Sequence, residues 1–315
     1  MRLESTRREV KEAGGQALVV PADVADPEAI ARAAERIFDE WGRLDVWVNN
    51  AMATVFGPAD GISPDEFKRV SEVIYLGQVY GTLAALKHMR VQGGGTIVQV
   101  GSALAYRSIP LQSAYCAAKA AVRGFTDSLR SELIHERSPI RLSMVHLPAV
   151  NTPQFDWARN RLPLRPQPVP PIHDPAVAAE AIFRAAREAP RELWVGLPTV
   201  QAILGTMAAP GLMDRMMAGR AWDGQMTTEP SSPRPDNLFR PATGDWGTAG
   251  RFVSENRAIT ISASAARGLA ATAALGLVAG VAAFASSRWR KHIGDQRDKA
   301  VGASSACLPV EWRKP

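Results

Sequence analysis

The sequence predicts a doubly wound α/β fold, in which helices cover both faces of a parallel sheet. Two observations lead to this prediction. Between residues 16 and 196, short segments rich in β-branched residues alternate with longer segments whose apolar residues recur at helical spacing. The longer segments often start with a residue that caps helices, such as Asp26 or Asp174, followed by a proline. This alternation is typical of parallel strands joined by crossover helices.

Each element follows from a local pattern, taken here in chain order. QALVVPAD at 16–23 is a short β-branched run followed by turn residues, which predicts a buried strand. Ser63 and Glu66 form a capping box that marks the start of a long helix. Glycines at 93–95 mark the turn before a strand. The predicted elements are strand 16–23, helix 26–42, strand 44–51, helix 63–90, strand 93–102, helix 113–136, strand 140–148, helix 174–189 and strand 192–196.

Composition and charge exclude several classes of protein. The 315 residues include 37 basic and 31 acidic side chains, a net charge of +6, without a basic stripe interleaved with aromatic residues, so we expect no nucleic-acid partner. The two cysteines, Cys116 and Cys307, belong to no metal-binding cluster, so we expect neither a metal site nor a disulfide framework. Residues 1–15 are charged and unlike a secretory signal, which favours a reducing, cytoplasmic location.

Three polar residues around the end of strand 93–102 are candidates for proton transfer. Ser102 ends that strand, and ligands of parallel sheets bind at the carboxyl ends of strands. Tyr115 and Lys119 follow in the next helix, four residues apart and therefore on one helical face. A nearby ammonium lowers the pKa of a phenol, so Tyr115 can exchange a proton with an alcohol or a carbonyl. The same tyrosine–lysine spacing also occurs by chance on exposed helices, so the serine at the strand end is needed for this interpretation.

Three further motifs accompany this set, and together they resemble the classical short-chain dehydrogenase/reductase (SDR) family over about residues 3–200. The motifs are PADVAD with Asp23 and Val24, VNNA with Asn49, Asn50 and Ala51, and HLPAVNTP with Thr152. The resemblance implies a Rossmann-type sheet that binds NAD or NADP, with the first motif at the adenine, the second beside the cofactor and the third at the nicotinamide carboxamide. It also implies that Tyr115 is the catalytic acid/base, that Lys119 lowers its pKa and holds the nicotinamide ribose, and that Ser102 orients the substrate oxygen.

Two single residues depart from the family pattern. Met52 stands where the family has the glycine of its Asn-Asn-Ala-Gly turn, so that turn must adapt. Ile74, three residues before Gly77, stands where the family often has an asparagine, and its side chain cannot hydrogen-bond a water. Any proton relay beyond Lys119 must therefore differ, and Tyr75 is the polar neighbour at this point.

A larger departure concerns the family's first strand, glycine-rich turn, helix and second strand, which have no counterpart in this sequence. The glycines at 93–95 are no substitute, because they precede a strand rather than joining a strand to a helix. Without these elements the strand 16–20 would be separated from 44–48 by about two strand widths, roughly 10 Å, unless the two pair directly. We therefore hypothesise that the sequence is a fragment or starts downstream of the true start, which the upstream coding DNA would test.

The residues beyond 200 predict an extension to this catalytic domain. Residues 201–261 are rich in proline and glycine and read as an irregular linker. The uncharged run 268–285 is near the length that spans a bilayer, and it favours a membrane-associated helix over 262–292, followed by a polar tail at 293–315. An Ala/Gly-rich helix that packs on the protein or lies loosely on a membrane surface is the alternative.

The sequence as a whole favours an NAD(P)-dependent oxidoreductase that interconverts an alcohol and a carbonyl. The alternative is a non-catalytic, membrane-associated binding protein on a degenerate fold of the same family. Phe155 and Trp157, in the long segment before helix 174–189, predict either an apolar pocket wall or simple lid packing. The resemblance also implies a homo-oligomer formed through the fourth and fifth helices. Neither the substrate nor the choice between NAD and NADP is readable.

Overall fold

The computed structural model describes residues 2–244 and 246–273. The helices are α1 (Arg2–Glu12), α2 (Pro27–Trp41), α3 (Pro64–Ser71), α4 (Gly77–Gln92), α5 (Ser113–His135), α6 (Gln154–Trp157), α7 (Pro175–Glu188), α8 (Leu197–Ala208) and α9 (Pro210–Asp223). The strands are β1 (Val46–Asn49), β2 (Val55–Phe56), β3 (Gly95–Ser102), β4 (Ile140–Leu147), β5 (Arg159–Asn160), β6 (Leu164–Pro166), β7 (Glu192–Val195), β8 (Met226–Pro230) and β9 (Thr260–Ser262).

The main sheet of the described residues has the strand order β1-β3-β4-β7-β9. The first four strands are parallel, and β9 pairs antiparallel with β7. The predicted α/β class and its parallel sheet are therefore confirmed. Because β1, β3 and β4 are parallel, the ends of all three lie at one edge of the sheet, where the candidate site was expected.

Most predicted helices begin at the residues whose side chains cap them. The Asp26 carboxylate accepts hydrogen bonds from Glu28 N and Ala29 N at the start of α2. Ser63 and Glu66 form the expected capping box at the start of α3. The predicted helix 63–90 is interrupted, since a π-helical turn at Glu72–Leu76 joins α3 to α4. These ends are local in origin, which explains why the sequence shows them.

The predicted strand at 16–23 is wrong. Residues 15–23 form no ladder with any described strand, and β1 pairs with β3 alone. A strand exists only when its backbone groups bond to a neighbour, so an apolar β-branched run without a partner remains irregular. The direct pairing of 16–20 with 44–48, considered from the sequence, does not form.

Residues 201–261 are more ordered than the expected irregular linker. They contain all of α9 and β8 and most of α8 and β9, of which β8 pairs with β6 and β9 pairs with β7. Leu238 is fully buried in a cluster with Val70, Ile74 and Ala118, between the π-helical turn and α5. This segment therefore completes the core rather than trailing from it.

The described residues contain no helix long and apolar enough to cross a membrane. The run 268–285, which the sequence favours as a membrane-associated helix, lies outside the described residues from position 274 onward. Residues up to Ser264 form one compact unit, and the residues from 265 belong to a second one, of which 265–273 are described and helical.

Candidate active site

Ser102 lies at the end of β3 and begins a tight turn. Its side chain is buried, and its Oγ accepts a hydrogen bond from Leu104 N at 3.1 Å. A 3₁₀ turn at Ala103–Ala105 follows directly. The hydroxyl is therefore held by its own turn at the edge of the sheet where ligands of this fold bind.

Tyr115 and Lys119 lie one turn apart in the first half of α5. The Lys119 side chain is fully buried, and its Nζ donates a hydrogen bond to Val100 O in β3 at 2.6 Å. The same Nζ lies 5.7 Å from the centre of the Tyr115 ring. Since Ser102 ends the strand that carries Val100, the structure brings the three predicted residues together around the end of β3.

Burial dominates the acid–base properties of this pair. It raises the pKa of Tyr115 to about 12, although the neighbouring Ser102 hydroxyl acts in the opposite direction. Burial also lowers the pKa of Lys119 to about 8, because an ammonium in apolar surroundings loses its hydration. The expected lowering of the Tyr115 pKa by Lys119 is not seen here, because the ammonium bonds the Val100 carbonyl and the phenol lies in densely packed surroundings.

Gln78 is a residue of this site that the sequence analysis missed. Its amide Nε2 donates to Val100 O at 3.3 Å, so Gln78 and Lys119 share one carbonyl. Ile74, where the relay residue was sought, is buried in the apolar core, and Tyr75 packs against the same core. A glutamine on the otherwise apolar helix face between Gly77 and Gly81 was the available signal, since buried polar side chains need partners.

Asn49, Asn50 and Ala51 follow one another at the end of β1 but differ in their surroundings. The Asn49 amide is buried and bonds Gln99 Oε1 and Thr82 Oγ1 at 2.9 and 3.0 Å, so it joins β1 to β3 and α4. Asn50 and Ala51 are exposed. The first residue therefore has a structural network of its own, and the other two are accessible at the carboxyl edge of the sheet.

Asp23 and Val24 lie in the loop before α2. The Asp23 carboxylate accepts from Ala25 N at 3.0 Å and pairs with Arg69 Nη2 at 2.7 Å, and Val24 packs against Gly77. Asp23 and Arg69 border a cleft of about 380 Å³ beside α3. The remaining lining residues of this cleft are Asp65, Lys68, Glu72 and Phe239.

Thr152 lies in the loop after β4, where its backbone N–H bonds Val150 O at 2.9 Å and its carbonyl faces Gly250 closely.

Phe155 is buried among apolar side chains and contacts the Phe56 and Phe252 rings, with ring centres 5.8 and 5.7 Å apart. Phe155 therefore contributes to simple lid packing, which the sequence left open as the alternative to an apolar pocket wall.

The residues present fit the nicotinamide half of a dinucleotide. The exposed Asn50 and Ala51 follow β1, Ser102 ends β3 and Thr152 follows β4, so all lie at one sheet edge. The described residues contain no glycine-rich strand-to-helix turn for a pyrophosphate. Nor do they contain a group of His, Cys, Asp or Glu side chains that could hold a metal ion.

Known proteins resemble this chain over much of its length. A family model described as short chain dehydrogenase matches residues 1–161. The uncharacterized oxidoreductase YxnA of Bacillus subtilis is 35% identical over 243 residues, which cover 76% of this chain and 68% of that protein. The putative oxidoreductase SadH of Mycobacterium tuberculosis is 35% identical over 150 residues, covering 48% of this chain and 54% of that protein.

One mammalian protein and one crystal structure are also similar to this chain. Dehydrogenase/reductase SDR family member 7B of Bos taurus is 33% identical over 208 residues, covering 64% of this chain and 63% of that protein. The crystal structure of a short-chain dehydrogenase from Streptomyces avermitilis superposes with a TM-score of 0.57 at 27% identity, covering 70% of this chain and 88% of that one. The chain thus spans about half to two thirds of the length of these curated relatives.

Proposed function

Because the chain belongs to the short-chain dehydrogenase/reductase family, we propose that it is an NAD(P)-dependent oxidoreductase that interconverts an alcohol and a carbonyl compound. The observation that carries the proposal is the convergence of Ser102, Tyr115 and Lys119 around the end of β3. Relatives named as oxidoreductases favour an enzyme over the non-catalytic binding protein.

In this proposal Tyr115 moves the proton. With a pKa raised to about 12, its phenol is protonated at neutral pH and is ready to donate to a carbonyl oxygen during reduction. Ser102 Oγ accepts from Leu104 N, and its hydroxyl, which bonds the Tyr115 phenol in the described structure, would turn to the substrate oxygen in this proposal. The nicotinamide supplies or accepts the hydride. The chain's own part is to orient the oxygen and to hold the proton beside it.

Lys119 has two tasks in this proposal. Its ammonium is anchored to Val100 O, one carbonyl that it shares with Gln78, and this holds the side chain beneath the Tyr115 ring. In the described structure this charge does not lower the Tyr115 pKa, so we propose that effect, which the oxidation direction needs, for the cofactor-bound site. Hydrogen bonds to the nicotinamide ribose are the second task.

The cofactor contacts are proposed from the matched motifs and their surroundings. The exposure of Asn50 and Ala51 after β1 supports a cofactor contact there, and Thr152, in the loop after β4, is proposed for the carboxamide. Asp23 and Val24 are proposed for the adenine end, where the cleft beside α3 opens. One Asp23 oxygen already accepts from Arg69, so an adenine amino group would share that carboxylate. Asn49 acts by holding the end of β1.

The proposal is tested with the purified chain, NADH, NADPH and a panel of aldehydes and ketones. We expect nucleotide binding by fluorescence and carbonyl-dependent oxidation of the nucleotide, and we expect Tyr115→Phe to lower kcat by about 10²-fold or more with binding retained, because a general acid is removed. Tyr80→Phe, on α4, removes the same atom elsewhere and is the matched control. Absence of nucleotide binding by the wild-type chain, or an unchanged rate in Tyr115→Phe, would overturn the proposal.

We further propose that the enzyme forms a homo-oligomer through α4 and α5. Apolar side chains on these helices are exposed, with 55% of Leu83, 83% of Val91 and 71% of Ile134 accessible. Ala117 in α5 is also exposed, while Ala118 is buried in the core. Light scattering measures the molar mass of the wild type and of the double variant Val91→Glu/Ile134→Glu, and so tests this proposal. A wild type that is monomeric at micromolar concentration contradicts it.

A further inference from the structure

A buried pair of ionisable side chains lies directly beneath the turn that carries Ser102. His146 in β4 is fully buried, and Glu192 in β7 exposes only 3% of its surface. The two strands are neighbours in the sheet, and β4 is also the neighbour of β3. Burying ionisable groups is unfavourable unless they are paired, so their connections explain what they do here.

The imidazole of His146 joins the backbone of Ser102 to Glu192. His146 Nδ1 lies 3.0 Å from Ser102 O, and Nε2 lies 3.3 Å from Glu192 Oε2, without the alignment of a hydrogen bond. A carbonyl only accepts, so Nδ1 carries the proton that it donates to Ser102 O. The geometry therefore places the ring between the Ser102 carbonyl and the Glu192 carboxylate.

The carboxylate of Glu192 is also the anchor of the other end of the same turn. Its Oε2 accepts from Tyr106 Oη at 2.8 Å and from Trp194 Nε1 at 3.0 Å. Tyr106 directly follows the 3₁₀ turn that begins after Ser102. Burial alone would raise the pKa of Glu192, but the donors, His146 foremost, hold it well below its ordinary range. The carboxylate is thus ionised.

The ring of His146 has little freedom to move. A Cβ at Gly101 would come within 3.1 Å of His146 Nδ1, so β3 and the ring touch closely where the Ser102 carbonyl is held. The Tyr106 ring packs edge-on against the His146 ring, 5.0 Å between centres.

Two arginines also face the cluster of His146, Glu192 and Tyr106. Arg191 Nε lies 3.5 Å from Glu192 Oε1, and the Arg123 guanidinium lies 4.3 Å from the centre of the Tyr106 ring.

We propose that His146 and Glu192 are positioning residues for Ser102, fixing both ends of the segment 102–106 so that the serine hydroxyl meets the substrate oxygen. This inference rests on the proposed function. His146 holds the Ser102 carbonyl, Glu192 holds Tyr106, and the contact of 3.3 Å between His146 Nε2 and Glu192 Oε2 joins the two anchors. His146 is the first residue of the HLPAVNTP segment, in which the resemblance assigns a role to Thr152 only, and Glu192 lies outside the quoted motifs.

The first experiment measures kinetics in the full chain. We expect His146→Leu to lower kcat about tenfold or more while the KM for the nucleotide changes less than about twofold, because positioning is lost and cofactor contacts are not. His135→Leu makes the same change at the exposed end of α5 and serves as the matched control. Tyr106→Phe removes one hydroxyl only, folds more safely than the leucine variant, and should lower kcat in the same selective way. An unchanged kcat in both variants overturns the proposal.

The second experiment reads the pair without activity. The chain has 5 histidines, and ¹⁵N-histidine NMR of wild type and His146→Leu identifies the His146 ring signals. We expect the Nδ1 signal of His146 to be that of a protonated nitrogen, as a donor to the Ser102 carbonyl requires, and Glu192→Gln to shift the Nε2 signal. A bare Nδ1 in the wild type, or ring signals that are unmoved in Glu192→Gln, overturns these contacts. If the wild-type chain has no oxidoreductase activity, the proposed function is contradicted. The contacts of His146 with Ser102 and Glu192 are then tested by this spectrum alone.

Discussion

The strands β1 and β7 flank the same two central strands, β3 and β4, but they are protected to different degrees. All four residues of β7 are buried, and β9 pairs with its far side. In β1, Val46 and Val48 expose 41% and 40% of their surface, and among the described residues β1 pairs with β3 alone. One flank of the sheet is thus an enclosed core and the other is an exposed edge.

The candidate chemistry follows this difference. Ser102, its buried pair of His146 and Glu192, and the anchor of Lys119 all lie on β3, β4 and β7. The β1 side contributes Asn50 and Ala51, which are accessible at the surface. Catalytic groups must be held rigidly, so they are expected where packing is densest, whereas a ligand-facing turn can lie on the less protected side.

Truncation of an apolar side chain to alanine gives the largest expected difference in stability between the two flanks. Leu193→Ala in β7 removes a fully buried side chain and should lower the free energy of unfolding by about 2–5 kcal/mol. Val46→Ala in β1 should change it by less than about 0.5 kcal/mol. Urea titrations of both variants check this. Equal losses would mean that β1 is as well packed in solution as β7.

Lys119→Met tests the buried cation of the enclosed flank. The pKa of Lys119 is lowered to about 8, so the wild-type unfolded chain binds the proton more tightly and the wild type is destabilised at neutral pH. Between pH 8 and about 10.5 this cost disappears as pH rises, because the unfolded lysine then also loses its proton. We expect Lys119→Met to be about 2–3 kcal/mol more stable than wild type at pH 7 and nearly equal at pH 10.5.

The comparison with wild type at both pH values is the control for this prediction, because Tyr115 and the other titrating groups are common to both proteins. A difference that does not shrink between pH 7 and pH 10.5 would show that the lysine is not buried as a cation. Thermal or urea unfolding at the two pH values is sufficient.

Val48 and Val98 are a matched pair for a finer test, since they lie opposite each other in the β1–β3 ladder. Val98 is fully buried and Val48 exposes 40% of its surface. We expect Val98→Ala to cost about 2 kcal/mol and Val48→Ala less than about 0.5 kcal/mol. Chemical denaturation of the two variants measures the contrast across a single rung. Equal losses of unfolding free energy in the two variants would contradict the distinction between the flanks.

The smallest expected effect on stability comes from making the β1 edge more polar. Val46→Thr with Val48→Thr keeps the β-branched shape and should leave the free energy of unfolding within about 0.5 kcal/mol of wild type. An exposed apolar edge strand promotes association of chains, so the same variant should aggregate less on concentration. Light scattering against concentration measures this. Unchanged aggregation would show that the edge is already covered in solution.

The sequence predicted those parts of the molecule that depend on local signals. Asp26 and Ser63 cap helices through bonds to residues two or three positions away, so their patterns survive without tertiary context. The strands β3 and β4 are buried along almost their whole length, and their sequences are rich in Ile, Val and Leu with single polar residues between them. Ser102, Tyr115 and Lys119 were found because a strand end and one helical turn fix their spacing.

The remaining features depend on partners that are distant in the chain. The run at 16–20 has the composition of a strand, but no strand of the described residues pairs with it. Gln78 meets Val100 O across 22 positions, and His146 meets Ser102 O across 44. Neither contact has a local pattern. Buried polar residues in apolar surroundings were the only available indication, and it does not name the partner.

The burial of Leu238 also has a consequence for how the chain folds as it is synthesised. Arg69 in α3 bonds the Leu238 carbonyl across 169 positions, and the leucine side chain fills the core beside Val70 and Ile74. At typical translation rates, roughly ten to thirty seconds separate the emergence of these residues from the ribosome. During that interval the apolar pocket awaiting Leu238 is open in the nascent chain. This part of the core can close only late in translation, and chaperones have that long to bind it.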